Sequence, residues 1–267
     1  MFFYLFNFLI FLFLVNPLFG ETTVVHNLKS LISKIVPFRS DGKFDIPKSI
    51  QHIKLDIGLS YNAPMSQYWL SHEKNLLVFG FEPNPESINS ILNGATKLSP
   101  AHGNPLEKKF IGTSFFLIPC ALGLSATPLI KFFVTKADCG CSSIYYPKSF
   151  IIKDIITVPI FPLSDFFDLF PFDTHPIIEY IKIDAQGCDL NIIKSSGEYL
   201  REHVIFITLE AENNQYENTV NSEQNIDSYM KKIGFIPYNS KNTKDPTYLN
   251  SVFLDYSKEH NIKIYQS

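Results

Sequence analysis

The sequence predicts an α/β protein built on a doubly wound, mostly parallel sheet. Three observations point there. Short apolar runs alternate with helix-like segments along most of the chain, a pattern that puts helices on both faces of a parallel sheet. The runs at 52–56, 76–81, 115–120, 178–184 and 204–209 read as buried strands. Asp56, Glu82, Cys120, Asp184 and Glu210 fall at the carboxyl ends of those strands, the edge where such sheets bind ligands. With 267 residues, 45% of them hydrophobic and 18% charged, the chain can fill one sizeable core.

The elements follow in order. Residues 1–20 are an apolar Phe- and Leu-rich run, broken by Asn16-Pro17, and read as a signal peptide or membrane anchor. The run is short for a spanning helix, which needs about 20 apolar residues. Its lysines and arginine (Lys29, Lys34, Arg39) come after it. Retained, it would leave the domain on the cytoplasmic side; cleaved, it would send the domain into the secretory path. The rival reading is a helix docked on the domain. Residues 21–48 form a stem or N-terminal helix, with Leu28, Leu31, Ile32 and Ile35 at helical spacing before Pro37. The domain proper covers 49–267. Its first strand is followed by a helix at 65–73. The strand at 76–81 leads to a helix opening at Pro85, where proline suits the first turn. Residues 129–135 and 155–161 are further strands around a Cys-, Gly-, Ser- and Tyr-rich loop at 136–150. Leu163-Ser164-Asp165 caps a short helix at 166–170. A helix at 224–233 ends at Gly234 and precedes a closing antiparallel hairpin, 235–238 and 251–256.

Bulk properties exclude several functions. A net charge of −3 and a pI near 6.2 give no attraction for a polyanion, so no nucleic-acid partner is expected. Four cysteines are too few for a disulfide scaffold. Cys139 and Cys141 have no second pair beside them, and no metal is expected. Asp184, Glu210 and Glu212 at strand ends are the alternative, a divalent-cation set.

Asp56-Ile57-Gly58 after the first strand and Glu82 after the second suit a nucleoside. A flexible turn lets the backbone approach, and the second acid accepts hydrogen bonds from ribose hydroxyls. The dinucleotide fingerprint G-x-G-x-x-G is absent from Asp56–Asn62, which argues against an NAD-dependent oxidoreductase. A ligand with a ribose and no phosphates, S-adenosylmethionine, fits better.

At this point the chain resembles the FkbM family of methyltransferases. The matching segments are Leu55–Gly58, Phe79–Pro85 (Phe-Gly-Phe-Glu-Pro-Asn-Pro), Pro119–Gly123, Cys141–Ile144, Leu163–Asp165 and Ile181–Leu190 (Ile-Lys-Ile-Asp-Ala-Gln-Gly-Cys-Asp-Leu), in the family's order. The resemblance implies a seven-stranded Rossmann-like methyltransferase fold and O-methylation of a sugar, glycan or other small-molecule hydroxyl. It implies that Asp56, Gly58 and Ser60 line the methionine side of S-adenosylmethionine. Glu82 would hold the ribose with Asn84 nearby, and Cys120 and Ala121 would border the adenine. Lys182, Asp184 and Gly187 would lie at the reacting end. Asn62-Ala63-Pro64 stands where the family carries a second glycine, and Asn62 is the residue there that tolerates a positive φ. Gln186 and Asp189 stand where the family often has Glu.

Asp184 is the catalytic candidate, because a strand-end carboxylate can orient a hydroxyl or take its proton. Lys182 shares its strand face and would keep it ionised, or form a plain salt bridge with it. Ser142, Ser143, Tyr145, Gln186 and Glu210 are the candidate acceptor-binding residues, the first three from a loop long enough to cover the site. The reading from another class is a degenerate S-adenosylmethionine-binding adaptor. For Asp56 the alternative is capping of the segment that follows.

Overall fold

A computed structural model describes residues 27–94, 103–136, 139–211, 214–239, 244–260 and 262. Among them a seven-stranded sheet has the order β3-β2-β1-β7-β8-β10-β9. The strands are β1 (His52–Ile57), β2 (Leu76–Phe81), β3 (Phe115–Ile118), β7 (Ile178–Ile183), β8 (Val204–Leu209), β9 (Phe235–Asn239) and β10 (Thr247–Asn250). β10 runs antiparallel to both β8 and β9; the other pairings are parallel. This is the Rossmann-like arrangement with an antiparallel closing hairpin. The chain winds outward from β1 through β2 to β3, then restarts at β7 and winds the other way. The strand order therefore switches between β1 and β7, where such sheets open a ligand crevice.

Each sheet face carries its own core, as strands buried on both sides require. One face gathers Leu55, Phe79, Phe81, Ile181 and Ile207 against the aromatic rings of Phe44, Phe166 and Phe170. The other gathers Val78, Phe115, Tyr180 and Ile205 against Trp69, Ile88 and Ile91. Trp69 belongs to α2 (Pro64–His72), Ile88 and Ile91 to α3 (Pro85–Asn93), and Phe166 to α4 (Leu163–Leu169). Asn84 caps α3 through its side chain, accepting from Glu86 N at 3.1 Å.

Several elements differ from the sequence reading. The third strand ends at Ile118; Cys120 sits in a turn, and Ala121–Leu122 (β4) starts a second sheet. That sheet is antiparallel between β5 (Leu129–Thr135) and β6 (Ile152–Phe161) and parallel between β4 and β6, in the order β4-β6-β5. Leu163-Ser164-Asp165 is the first turn of α4, not its cap; the Ser195 hydroxyl receives Leu163 N instead. α5 (Asp189–Lys194) follows the 185–188 loop and α7 (Glu223–Lys232), ahead of β9, is the helix expected at 224–233, whereas α6 (Tyr199–His203), just before β8, was not expected. The second arm of the hairpin is Thr247–Asn250. Residues 251–256 form a 3-10 turn and the start of α8 (Leu254–His260).

Asn250 explains that shift. It is fully buried, its amide nitrogen donates to Leu200 O, Arg201 O and Val204 O, and its oxygen accepts from Val252 N. A polar residue that saturates four backbone groups ends the strand and turns the chain. Asn250→Ala strands those carbonyls, and we expect it to cost about 2–4 kcal/mol, from several buried hydrogen bonds of about 1 kcal/mol each plus an uncompensated acceptor. A denaturant midpoint unchanged in the variant would refute this.

The segment expected as a stem is described from residue 27. Asn27 caps α1 (Leu28–Ile32), and Leu28, Leu31, Ile32, Val36, Phe44 and Ile46 enter the main core. Phe44 N also bonds Leu169 O at 2.9 Å. The run at 1–20 lies outside the described residues, among which no helix is long and apolar enough to cross a membrane.

Candidate active site at the strand switch

The strand ends are tied to one another through the main chain. Gly58 N bonds Phe81 O at 3.0 Å, Asp184 N bonds Ile57 O at 2.9 Å, and Glu82 N bonds Ile118 O at 3.1 Å. Gly58 has φ +82°, and a Cβ there would fall 1.9 Å from the Asp184 carbonyl oxygen. Only glycine lets the two strand ends approach this closely. Beyond it, Ser60 and Ala63, not Asn62, take the left-handed conformation, with φ +54° and +48°. Asn62 instead accepts Leu106 N on its carbonyl.

Asp56 is buried at the end of β1. One carboxylate oxygen receives both Ser66 N (3.1 Å) and Ser66 Oγ (2.6 Å), in the first turn of α2. This is the capping role left open as its alternative. The other oxygen makes no hydrogen bond and lies 3.9 Å from Lys182 Nζ. Burial raises its pKa despite Lys182 and Ser66.

Glu82 is held by two main-chain donors, Leu59 N at 3.2 Å on one oxygen and Asn84 N at 2.8 Å on the other. Each oxygen keeps a further lone pair for a ligand. Burial pushes its pKa up to about 8 against those two bonds. The Asn84 side-chain nitrogen beside it is buried without a partner.

Glu82 opens onto a cleft of about 540 Å³, part of it open to solvent. Its apolar half includes Phe81, Ala121, Leu122, Phe132, Ile144 and Ile192, with the Cys120 and Cys188 thiols. Burial raises both thiols well above their ordinary range, so neither is a nucleophile.

Asp184, Ala185 and Gln186 also line the cleft. Lys182 Nζ donates to Asp184 at 3.1 Å and to Gly58 O at 3.2 Å. Gln186 Nε2 donates to Asp184 Oδ1 and to Glu210 Oε2, both at 2.7 Å. Burial opposes the Asp184 charge, but Lys182, Glu210 and Gln186 outweigh it and hold its pKa below the ordinary value. Burial likewise opposes the charge on Lys182, and Asp184 and Asp56 reverse that, raising it. Glu210 is pushed up to about 10 by burial and by the charges of Asp184 and Asp189. Behind them Asp189 is fully buried, accepting Ala185 N at 2.8 Å and Glu210 N at 2.9 Å. It pins the 184–189 loop to the end of β8.

Residues 57–237, well over half of the chain, match the family described as the methyltransferase FkbM domain. This chain belongs to the FkbM methyltransferase family. One solved structure similar to it is the methyltransferase FkbM from Methylobacillus flagellatus KT, with 14% identity and a TM-score of 0.43. The match covers 77% of this chain and 48% of that one, so the chain spans about half its length. Another is the antibiotic-resistance methyltransferase Kmr, with 10% identity and a TM-score of 0.39, covering 81% of this chain and 98% of that one. No curated protein sequence matches the chain.

Within this FkbM methyltransferase, Gly58, Ser60, Glu82, Cys120, Ala121, Ser142, Asp184 and Gln186 line one cleft. Asn84, Lys182 and Glu210 stand behind that wall, each bonded to a residue that helps form it, and Asp56 lies further back, 3.9 Å from Lys182 Nζ. Ser143 and Tyr145 are also set back: Ser143 Oγ donates to Gln186 O, and Tyr145 hydroxyl pairs with Asn191. Phe132 and Ile144, which close the apolar half, and Tyr216, which donates to Gln186 Oε1 at 2.7 Å, were not expected. Nothing local in the sequence marks Tyr216, which comes from an irregular segment joined to the 141–150 loop by a bridge to Pro147. Among the described residues no cluster of His, Cys, Asp and Glu is suited to a metal; Glu212 lies outside them.

Proposed function

We propose that this protein transfers a methyl group from S-adenosylmethionine to a hydroxyl of a sugar, glycan or similar small molecule. The observation that carries the reading is Glu82. It is a buried carboxylate, oriented by two main-chain N–H groups at the strand switch, with lone pairs to spare beside an apolar slot. That arrangement suits two vicinal ribose hydroxyls and a flat base. When bound, S-adenosylmethionine supplies an electrophilic methyl on a positively charged sulfur. Asp184 lines the same cleft, where it orients the acceptor hydroxyl and accepts its proton. Held by Lys182 and Gln186, it is a weak base, so the proton leaves late, once the oxygen has begun to bond carbon. Carboxylates outnumber lysine here, which suits a neutral alcohol.

Methyl-labelled S-adenosylmethionine, incubated with the full chain and a panel of neutral glycans and methyl glycosides, tests this. We expect alkali-stable label, as an ether requires. Asp184→Asn should lower the rate about 10²–10⁴-fold, the usual contribution of a positioned acid or base, while cofactor binding changes little. Cofactor binding without label on any acceptor, and no effect of Asp184→Asn, would favour the adaptor. The apolar residues 1–20 are proposed to hold the enzyme at a membrane or deliver it to the secretory pathway. Recovery of the full chain wholly in the soluble fraction, without cleavage, would refute that.

A further inference from the structure

Gln186 is an unusual residue for its position. Its backbone is left-handed, φ +51°, a conformation that costs a non-glycine residue about 1–2 kcal/mol. Its surroundings hold it there. Ser143 Oγ donates to its carbonyl at 2.7 Å, and Tyr216 OH donates to its Oε1 at 2.7 Å. Both amide hydrogens then point away from Tyr216, one to Asp184 and one to Glu210. With the amide this way round each carboxylate receives an N–H, and the Tyr216 hydroxyl, which also lies 2.9 Å from Cys141 O, reaches the amide oxygen.

Two carboxylates bonded to the same nitrogen at 2.7 Å lie close enough for the charge of each to disfavour ionisation of the other. The groups facing the pair come from every neighbouring element. Lys182 on β7 is a cation, and it bonds Asp184. Asp56 on β1, Glu82 after β2 and Asp189 at the start of α5 are carboxylates. Asn221 donates to the Glu210 carbonyl, and Tyr216 faces Gln186. The electrostatics therefore leave one net charge on the pair, with the proton on Glu210, hydrogen-bonded toward Asp184.

We propose that Gln186 is the positioning residue of the reacting end: its amide, set by Tyr216, clamps Asp184 and Glu210 into a dicarboxylate that shares one proton. The role rests on the proposed methyl transfer. Glu210 then acts as a neutral donor, fixing the Asp184 carboxylate while one of its oxygens is presented to the acceptor hydroxyl. The clamp itself is a property of the unliganded protein and is testable without an acceptor.

The experiment is chemical unfolding of the full chain at pH 6, 7, 8 and 9, for the parent, Glu210→Gln, Gln186→Leu and the double variant. Glutamine at 210 is a permanent neutral donor of the same shape. If Glu210 carries the proton, the parent loses stability relative to Glu210→Gln as pH rises. The ratio of their unfolding constants should change about tenfold per pH unit over this range. Contributions from Glu82 and Asp189 are common to both proteins and cancel. In the Gln186→Leu background the Glu210→Gln difference should flatten toward pH 9, because Asp184 is no longer held against Glu210 and only burial and Asp189 still favour its proton. A flat difference in the parent background would overturn the shared proton. An unchanged tenfold slope in the Leu background would overturn the clamp. Titrating S-adenosylmethionine into the parent separates the two readings: no binding would defeat the proposed function and leave the proton measurement standing on its own.

Discussion

Glu82→Ala is expected to weaken S-adenosylmethionine binding by about a hundredfold or more, measured by calorimetry on the full chain. Each hydrogen bond from a ribose hydroxyl to a buried, ionised carboxylate contributes about 1.5–3 kcal/mol, so the pair contributes about 3–6 kcal/mol. The alanine also leaves Leu59 N and Asn84 N without their acceptor, which loosens the turn that faces the ligand. The pH dependence carries an independent check. Burial pushes Glu82 up to about 8, so without ligand it is largely protonated at neutral pH. Hydroxyl donors favour the ionised form. Adenosine, which has the ribose but no amino acid to titrate, should therefore bind more tightly as pH rises from 6 toward 8 and level off above it. Stability runs the other way. A carboxyl whose folded pKa exceeds its unfolded value contributes most below the unfolded value, near 4.5, and loses that contribution as pH rises through about 8. Because Asp189 and Glu210 also make stability fall with pH, the Glu82 share is read as the difference between the parent and Glu82→Gln, in unfolding and in binding alike. An alanine variant that binds like the parent would remove Glu82 from the ribose site.

Gly58→Ala is expected to be the most damaging single methyl in the domain, costing about 3–5 kcal/mol or preventing folding. The added carbon would lie 1.9 Å from Asp184 O and 2.7 Å from Asp184 C, both main-chain atoms in the sheet ladder that cannot step aside. Gly112→Ala is the matched control. Its φ is +76°, close to the +82° of Gly58, but no atom lies within 4 Å of the new carbon. It should cost about 1 kcal/mol, the left-handed penalty alone. The difference between the variants isolates the contact between strand ends from the backbone preference. Equal losses in both would mean that β1 and β7 can separate without consequence.

The strands and the acids at their tips were legible in the sequence because a parallel strand buried on both faces is a continuous apolar run. Leu76–Phe81 and Val204–Leu209 have no other plausible reading. The switch point was hidden, since it depends on the spatial order that sets β7 beside β1. Sheet membership was not legible. Leu129–Thr135 and Ile152–Phe161 read as strands, but nothing local says that they leave the main sheet, because that depends on a turn at Cys120. The hairpin arm was misplaced because Val252-Phe253-Leu254 is the more apolar run, whereas the real strand, Thr247-Tyr248-Leu249-Asn250, buries two polar residues that bond across the fold. Tyr216 was invisible for a related reason. Its partner Gln186 is 30 positions away and the segment between them changes structure three times, so only the folded chain brings the hydroxyl to the amide.

The packing of residues 28–46 also bears on how the protein is processed and prepared. Phe44 stacks on Phe79, a residue of the second strand, with ring centroids 5.5 Å apart, so this early segment is part of the floor beneath the site. A protease that trims the chain, or an expression boundary drawn to discard an apolar leader, has its safe limit just before Asn27. A cut at residue 40 would remove Leu28, Leu31, Ile32 and Val36 together, at about 1.5–3 kcal/mol for each buried side chain, a loss comparable to the whole stability of an ordinary domain. Shortened forms that begin later would fail for want of a core, and their inactivity would say nothing about the chemistry.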